Sequence, residues 1–267
     1  MFIQNFRKLA VSLLLSLGAV SATHAANINS YYLFDGDQSK AWEIKNGVVA
    51  NTFTTYQLGY PVAIRDTIWL GQRDDNRAVE YNLGGVATGN TSSGGNAFSQ
   101  LLDGTAGANG YNYGVECCGN TNSVTVANSN WSAQSVLFNL TDSGSGIAFD
   151  SSDNTLLVSH FSNVVDHYSL TGVLLASIDL GQQLVGLAYE SSSDSFWGWN
   201  RARQSLVQFN DSGSILQNFA VAGVGGNPFG GEMAFSAPVI SNVPEPESLA
   251  LLGVALLGLA VTRRRKV

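Results

Sequence analysis

The sequence predicts an all-β protein, a β-propeller of five blades with six as the alternative count, and three observations carry that expectation. Two stretches repeat: GIAFDSSDNTLLVSHFSNVVDHYSLTGVLL from Gly146 and GLAYESSSDSFWGWNRARQSLVQFNDSGSILQ from Gly186 align at an offset of 40 that becomes 41 after one inserted residue. Gly146 matches Gly186, Phe149 matches Tyr189, Leu156 matches Phe196 and Gly172 matches Gly213. A period of about 40 to 45 residues holding four short strands is the signature of a propeller blade. The body also has no stretch of helical period long enough to compete. Finally, charged residues are 12% of the chain and glycines number 29, a low-charge, turn-rich composition typical of exported β proteins.

Taken in order, residues 1–25 stand apart. MFIQNFRKLAVSLLLSLGAVSATHAA has a positive start at Arg7 and Lys8, an apolar run from Leu9 to Val20, and Thr23 and Ala25 placed for cleavage after Ala25. This is the layout of a secretory signal peptide. The run is also short of the ~20 residues that a membrane span needs. Residues 26–240 are then the propeller body. YYLFDG, AWEIK and VVANTFTT read as strands two to four of a blade that lacks its first strand, and GEMAFS, from Gly231, resembles GIAFDS and supplies it from the other end. Closing the ring with strands from both termini removes an exposed sheet edge. Further units begin at Gly59 and Asp103, while the stretch from Thr88 to Gln100 is an insertion that keeps a sixth blade open.

Candidate site residues come from blade geometry. Turns between second and third strands, with the links into first strands, share one face at the mouth of the central channel. Those segments carry Asp35 and Asp37, Asp74, the Cys117-Cys118 pair, His160, and Asn200 with Arg201; Glu232, on the closing strand, would join them. The plainer account is that loops are polar because they are wet. Adjacent cysteines about 3.8 Å apart lie below the usual Cα separation of a disulfide, which leaves a local ring, a bridge to another chain, or two buried thiols. His160 and His167 fall about 10 Å apart on a hairpin at about 3.3 Å per residue, too far to share an ion, and read as surface histidines. No metal framework or cofactor motif is present. Trp69 and Trp197 read as core, and Trp199 as either core or a stacking platform. From Asn27 to Asn242 there are seven Lys and Arg against eighteen Asp and Glu, a net of −11, which argues against nucleic acid as a partner.

Residues 241–267 form a third segment. Pro244 and Pro246 flank Glu245 and hold the chain extended. Behind them come the apolar run Leu249 to Val261, read as a short transmembrane helix, and the cations Arg263, Arg264, Arg265 and Lys266, which the positive-inside rule keeps on the cytoplasmic side. In this order the three parts resemble the PEP-CTERM sorting signal of Gram-negative bacteria. The resemblance covers about 25 residues and implies recognition and removal of the tail by a membrane-embedded exosortase, after passage through the export machinery, in hosts that often make exopolysaccharide. It implies an inner-membrane-held precursor and then a cell-envelope, outer-surface or extracellular-matrix protein. Such a propeller would act as a non-enzymatic binding or matrix module linked to exopolysaccharide or biofilm. The alternative is a metal-dependent hydrolase or lyase of lactonase-like type with its site at the central channel.

Overall fold

The structure is a computed structural model that describes residues 30–234 except 74–76, 94–99 and 119–121. The expected leader, Asp74, Phe235 and the sorting segment therefore lie outside the described residues. Among the described residues there is no helix, and twenty strands follow one another: β1 (Tyr31–Asp35), β2 (Lys40–Lys45), β3 (Val48–Thr54), β4 (Gly59–Ile64), β5 (Ile68–Gln72), β6 (Arg77–Tyr81), β7 (Ala87–Ser93), β8 (Leu101–Ala106), β9 (Tyr111–Glu116), β10 (Ser123–Asn128), β11 (Ser135–Asn139), β12 (Gly144–Asp150), β13 (Thr155–His160), β14 (Val164–Ser169), β15 (Leu174–Asp179), β16 (Val185–Glu190), β17 (Ser195–Asn200), β18 (Ser205–Phe209), β19 (Ile215–Ala220) and β20 (Gly230–Met233). They form five antiparallel sheets of four strands, and the inner strands pack in the cycle β20, β4, β8, β12, β16 and back to β20. This is a five-bladed β-propeller. The insertion from Thr88 carries β7, the outer strand of the second blade, rather than a sixth blade.

The first blade has the order β20-β1-β2-β3, with Tyr31 opposite Met233 and Leu33 opposite Gly231. Its inner strand thus comes from the far end of the sequence, as GEMAFS indicates. Because the meander is antiparallel, turns between second and third strands share an upper face with the links from one blade to the next. Turns between first and second, and between third and fourth, strands lie on the lower face. The chain enters at Ser30 and leaves at Ala234 on that lower face, and the Ala234 amide donates to the Ser30 carbonyl there.

There is no single core. Five apolar clusters fill the five wedges between neighbouring blades, and four of the second strands, β1, β5, β13 and β17, serve two of them by alternation. Tyr31 and Leu33 of β1 face the fifth blade, whereas Tyr32 and Phe34 face the second. Trp197 and Trp199 have the same parity on β17, so both enter the wedge with Trp42, and Phe196 points the other way. Trp199 is therefore core. A strand buried on both faces reads as an unbroken apolar run, which is why YYLF and LLV lack a polar alternation. Outer strands such as β3 alternate instead, as half-solvated strands do.

The wedge between the second and third blades is lined by Ala63, Ala78, Ala106 and Ala127, and one side chain, Trp131, fills it. A Cβ on Gly104 would come 2.5 Å from the Trp131 ring, so the glycine makes room for the indole. Its Nε1 donates to the Trp69 carbonyl at 3.0 Å. A second device repeats around the circumference: the turn glycine before an outer strand sits on the outer strand of the preceding blade. Gly47 meets Phe219, Gly85 meets Phe53, Gly172 meets Phe138 and Gly213 meets Ile178.

Two substitutions test these contacts by denaturant unfolding. Trp131→Ala should cost about 3–5 kcal/mol, because the alanines that line the wedge are too small to close the space it leaves. Gly85→Ala places a Cβ 2.1 Å from Phe53 Cγ at a φ of +85° and should cost about 1–3 kcal/mol.

Candidate ligand site on the upper face

The axis of the ring comes first, because it decides what the mouth can hold. Inner strands present one unpaired edge to the channel, and buried N–H groups need acceptors. Asp103, fully buried on β8, supplies them: Oδ2 accepts from Ile147 at 2.8 Å and Leu187 at 3.0 Å, and Oδ1 from Gly231 at 2.9 Å. One carboxylate thus ties together the inner strands of the fourth, fifth and first blades. Thr105 Oγ1 accepts from Phe149 at 3.2 Å, and Tyr31 donates its hydroxyl to the Gly186 carbonyl. Glu232 accepts from Ala106 at 3.1 Å and from Met233 at 3.0 Å. It lies inside the channel toward the lower face, where Arg65 acts on it, and not at the upper mouth.

Burial pushes the Asp103 carboxyl well above the usual range, the Gly231 and Ile147 amides pull it back, and Glu232 pushes it up again. Burial likewise lifts Glu232 to about 8, against the Thr105 hydroxyl, the two amides and Arg65.

Four of the second strands end in a polar residue that holds the link into the same blade's inner strand. Asp35 Oδ2 accepts from the Asn227 amide at 2.6 Å, Gln72 donates to the Gln57 carbonyl at 3.0 Å, His160 Nδ1 lies 3.2 Å from the Ser143 carbonyl, and Asn200 donates to Gln182 at 3.0 Å. Glu116, at the same position in the third blade, accepts from Ser123 across its own hairpin at 2.8 Å. Asp35, His160 and Asn200 are therefore clamps of the repeat. His160 is buried, not a surface residue, and its Nε2 lies 3.1 Å from Asp166 Oδ2. His167 pairs with Thr155 on the other part of the hairpin. Cys117 and Cys118 are bonded to each other at the equivalent turn.

This face also carries a set of rings and cations, of which Phe161 is exposed, Phe229 half-buried and Tyr60 buried. Phe229, on the link into β20, sits over the channel mouth with Tyr60 at 6.1 Å and Phe161 at 6.0 Å in edge-to-face contact. The Arg201 guanidinium lies 4.1 Å from the Phe229 centroid, and Arg73 lies 5.5 Å from that of Tyr60. Arg73 also approaches Asp37 at 3.6 Å. Arg201 Nε is buried with no hydrogen-bond partner. On one side of Phe161 a groove of about 580 Å³ is lined by Asp142, Ser143, His160, Asp166 and Ser177. On the far side of Phe229 a cleft of about 170 Å³ is lined by Gln182, Asn200, Arg201 and Arg203. Phe161 also lines the groove, and Phe229 stands between Phe161 and the Arg201 that lines the cleft.

Sequence reasoning selected His160, Asn200 and Arg201 but missed Phe161, Phe229, Tyr60 and Asp166. An aromatic residue between glycine pairs, GGNPFGG, was the available signal for Phe229.

A model of the PEP-CTERM protein-sorting motif matches residues 242–266. The chain thus carries that signal, which implies an exported protein, held at the membrane before processing by exosortase, a membrane enzyme. No curated protein sequence matches the chain. The fold is similar to a chain in a nidogen/laminin complex, at 7% identity and a TM-score of 0.53 over 78% of this chain and 99% of that one. It also resembles a protein of unknown function from Bacteroides caccae, at 15% identity and a TM-score of 0.48 over 71% and 72%. A third is the virginiamycin B lyase of Staphylococcus aureus, at 19% identity and a TM-score of 0.44 over 76% and 73%.

The axial carboxylates give a signed pH dependence. Glu232 holds its proton in the folded state up to about pH 8, whereas in the unfolded chain it releases it near 4.3. Its contribution is complete below that lower value and is lost as pH rises through 8, with Asp103 acting in the same direction. The midpoint of thermal unfolding should therefore fall between pH 5.5 and 8.5, and Glu232→Gln should flatten that slope in a scan over the same range.

Proposed function

We propose that this exported propeller is a non-enzymatic binding and matrix module that holds polysaccharide along the groove, rings and cleft of its upper face. On this reading the leader is removed after Ala25, the body comprises residues 26–240, and the tail from 241 delivers it to the cell surface or extracellular matrix. One observation carries the ligand class: the exposed ring of Phe161 lines a hollow bearing hydroxyls and carboxylates and meets Phe229, over which lies Arg201, a lining residue of the amide-bearing cleft. Sugar rings stack on aromatic faces while planar polar side chains take their hydroxyls. Arg201 and Arg203 are suited to carboxylated sugars in an otherwise acidic body.

The state of the polar groups supports binding over catalysis. Both His160 nitrogens are engaged, one by Asp166 and one by the Ser143 carbonyl, so the ring is not poised as a general base. The axial carboxylates are occupied by backbone amides. Their arrangement fits ring closure.

Titration of the full chain in detergent with exopolysaccharide from a producing bacterium should show saturable binding. Phe161→Ala should weaken it about tenfold with an unchanged unfolding midpoint. Turnover of the polymer by wild-type protein, or undiminished binding by Phe161→Ala and Arg201→Ala, would refute the assignment.

A further inference from the structure

Large apolar side chains that remain exposed gather on the lower rim. Each outer strand starts at that face, and the exposed residues Val48, Val136, Leu174, Leu175, Ile215 and Leu216 stand at or beside those starts. They come from four blades, and Val86, which precedes β7, adds the remaining blade. The repeat explains their position: an apolar residue follows each turn glycine at Gly47, Gly85, Gly172 and, one residue later, Gly213. The glycines pack on the preceding blade, whereas the side chains that follow them stay 42–65% exposed. Exposed apolar residues are unremarkable singly. A rim of them confined to one face marks a contact surface.

What lies opposite that face follows from the chain path. Ala234 is the last described residue after β20 and sits on the lower face. The apolar run of the sorting tail begins at Leu249, so at most about 50 Å of extended chain separates the two. Before processing the protein is held at the membrane by that tail. A short tether sets a local concentration in the millimolar range, so weak apolar contacts suffice for occupancy.

We propose that the lower rim docks on the lipid surface while the tail is in place, turning the upper face away from the membrane. The same face gives the character of that surface. Its turns carry Asp66, Asp150, Asp153, Glu190, Asp194 and Asp211 against Lys45 and Arg65. An excess of carboxylates is repelled by anionic headgroups, so the surface that fits is zwitterionic.

The test uses the full chain in vesicles of zwitterionic lipid containing a doxyl-labelled quencher in the acyl region. An environment-sensitive fluorophore is attached through Ser214→Cys on the lower rim or Ala202→Cys on the upper face. Lipid quenching of the lower label should exceed that of the upper label at least twofold. Replacing half the lipid by phosphatidylglycerol should reduce the difference, as should Leu174→Ser/Leu175→Ser/Leu216→Ser. Equal quenching of the two labels in vesicles that carry the protein on flotation would overturn docking while leaving anchoring intact. A blue-shifted lower label that lipid does not quench would overturn it in favour of a second copy of the chain. Failure to float would remove the tether and the proposal with it.

Discussion

The constraint that governs this fold is the closeness of the inner strands at the axis. Five strands around so narrow a channel bring backbone against backbone, and side chains are excluded where they touch. A Cβ on Gly146 would lie 2.9 Å from the Gly186 amide nitrogen, one on Gly186 would lie 2.8 Å from the Phe229 carbonyl, and one on Gly230 would lie 2.0 Å from the Tyr60 carbonyl. Glycine at these points is a steric requirement of the ring. The same closeness strips water from the inner edges, and the buried amides would be orphaned without an internal acceptor. Asp103 answers that need for three blades at once. Its carboxylate is expensive to bury, and three N–H donors converging on it are the compensation.

From the axis outward the demands relax. Inner and second strands are buried on both faces, so their sequences must be apolar, small or internally satisfied. Outer strands bury one face, tolerate threonine, asparagine and serine, and twist away through bulges between third and fourth strands in all five blades. The first strands of the four continuous blades are bulged against the second near their upper ends. In β4 the bulge takes in Pro61, a residue that an unbroken ladder would reject.

This gradient explains what the sequence made legible. Blade count, the composite first blade and the topology follow from spacing, because turn glycines and buried second strands recur wherever the geometry recurs. Trp131 was not legible: it compensates for alanines and glycines on two neighbouring blades, and only the assembled wedge shows the vacancy it fills. Asp103 was hidden in the same way, since its partners lie 44, 84 and 128 residues away along the chain. The upper-face polar residues were found but their work was misread. Asp35, His160 and Asn200 recur because the repeat must fasten each incoming link, and a recurrence of that kind belongs to the scaffold. The residues that break the pattern, Phe161 in one turn and Phe229 in the closing link, are the ones left facing solvent with rings to offer.

The placement of β20 also fixes when this molecule can be complete. The last described strand ends at Met233, with only fifteen residues between it and the apolar run at Leu249. During export the first blade must wait, with β1 lacking its inner neighbour, until almost the whole polypeptide has crossed. Sealing of the ring and arrival of the tail at the bilayer are thus nearly simultaneous events. Cleavage within the matched sorting motif, residues 242–266, would fall after the last described strand and leave the closed ring of blades intact.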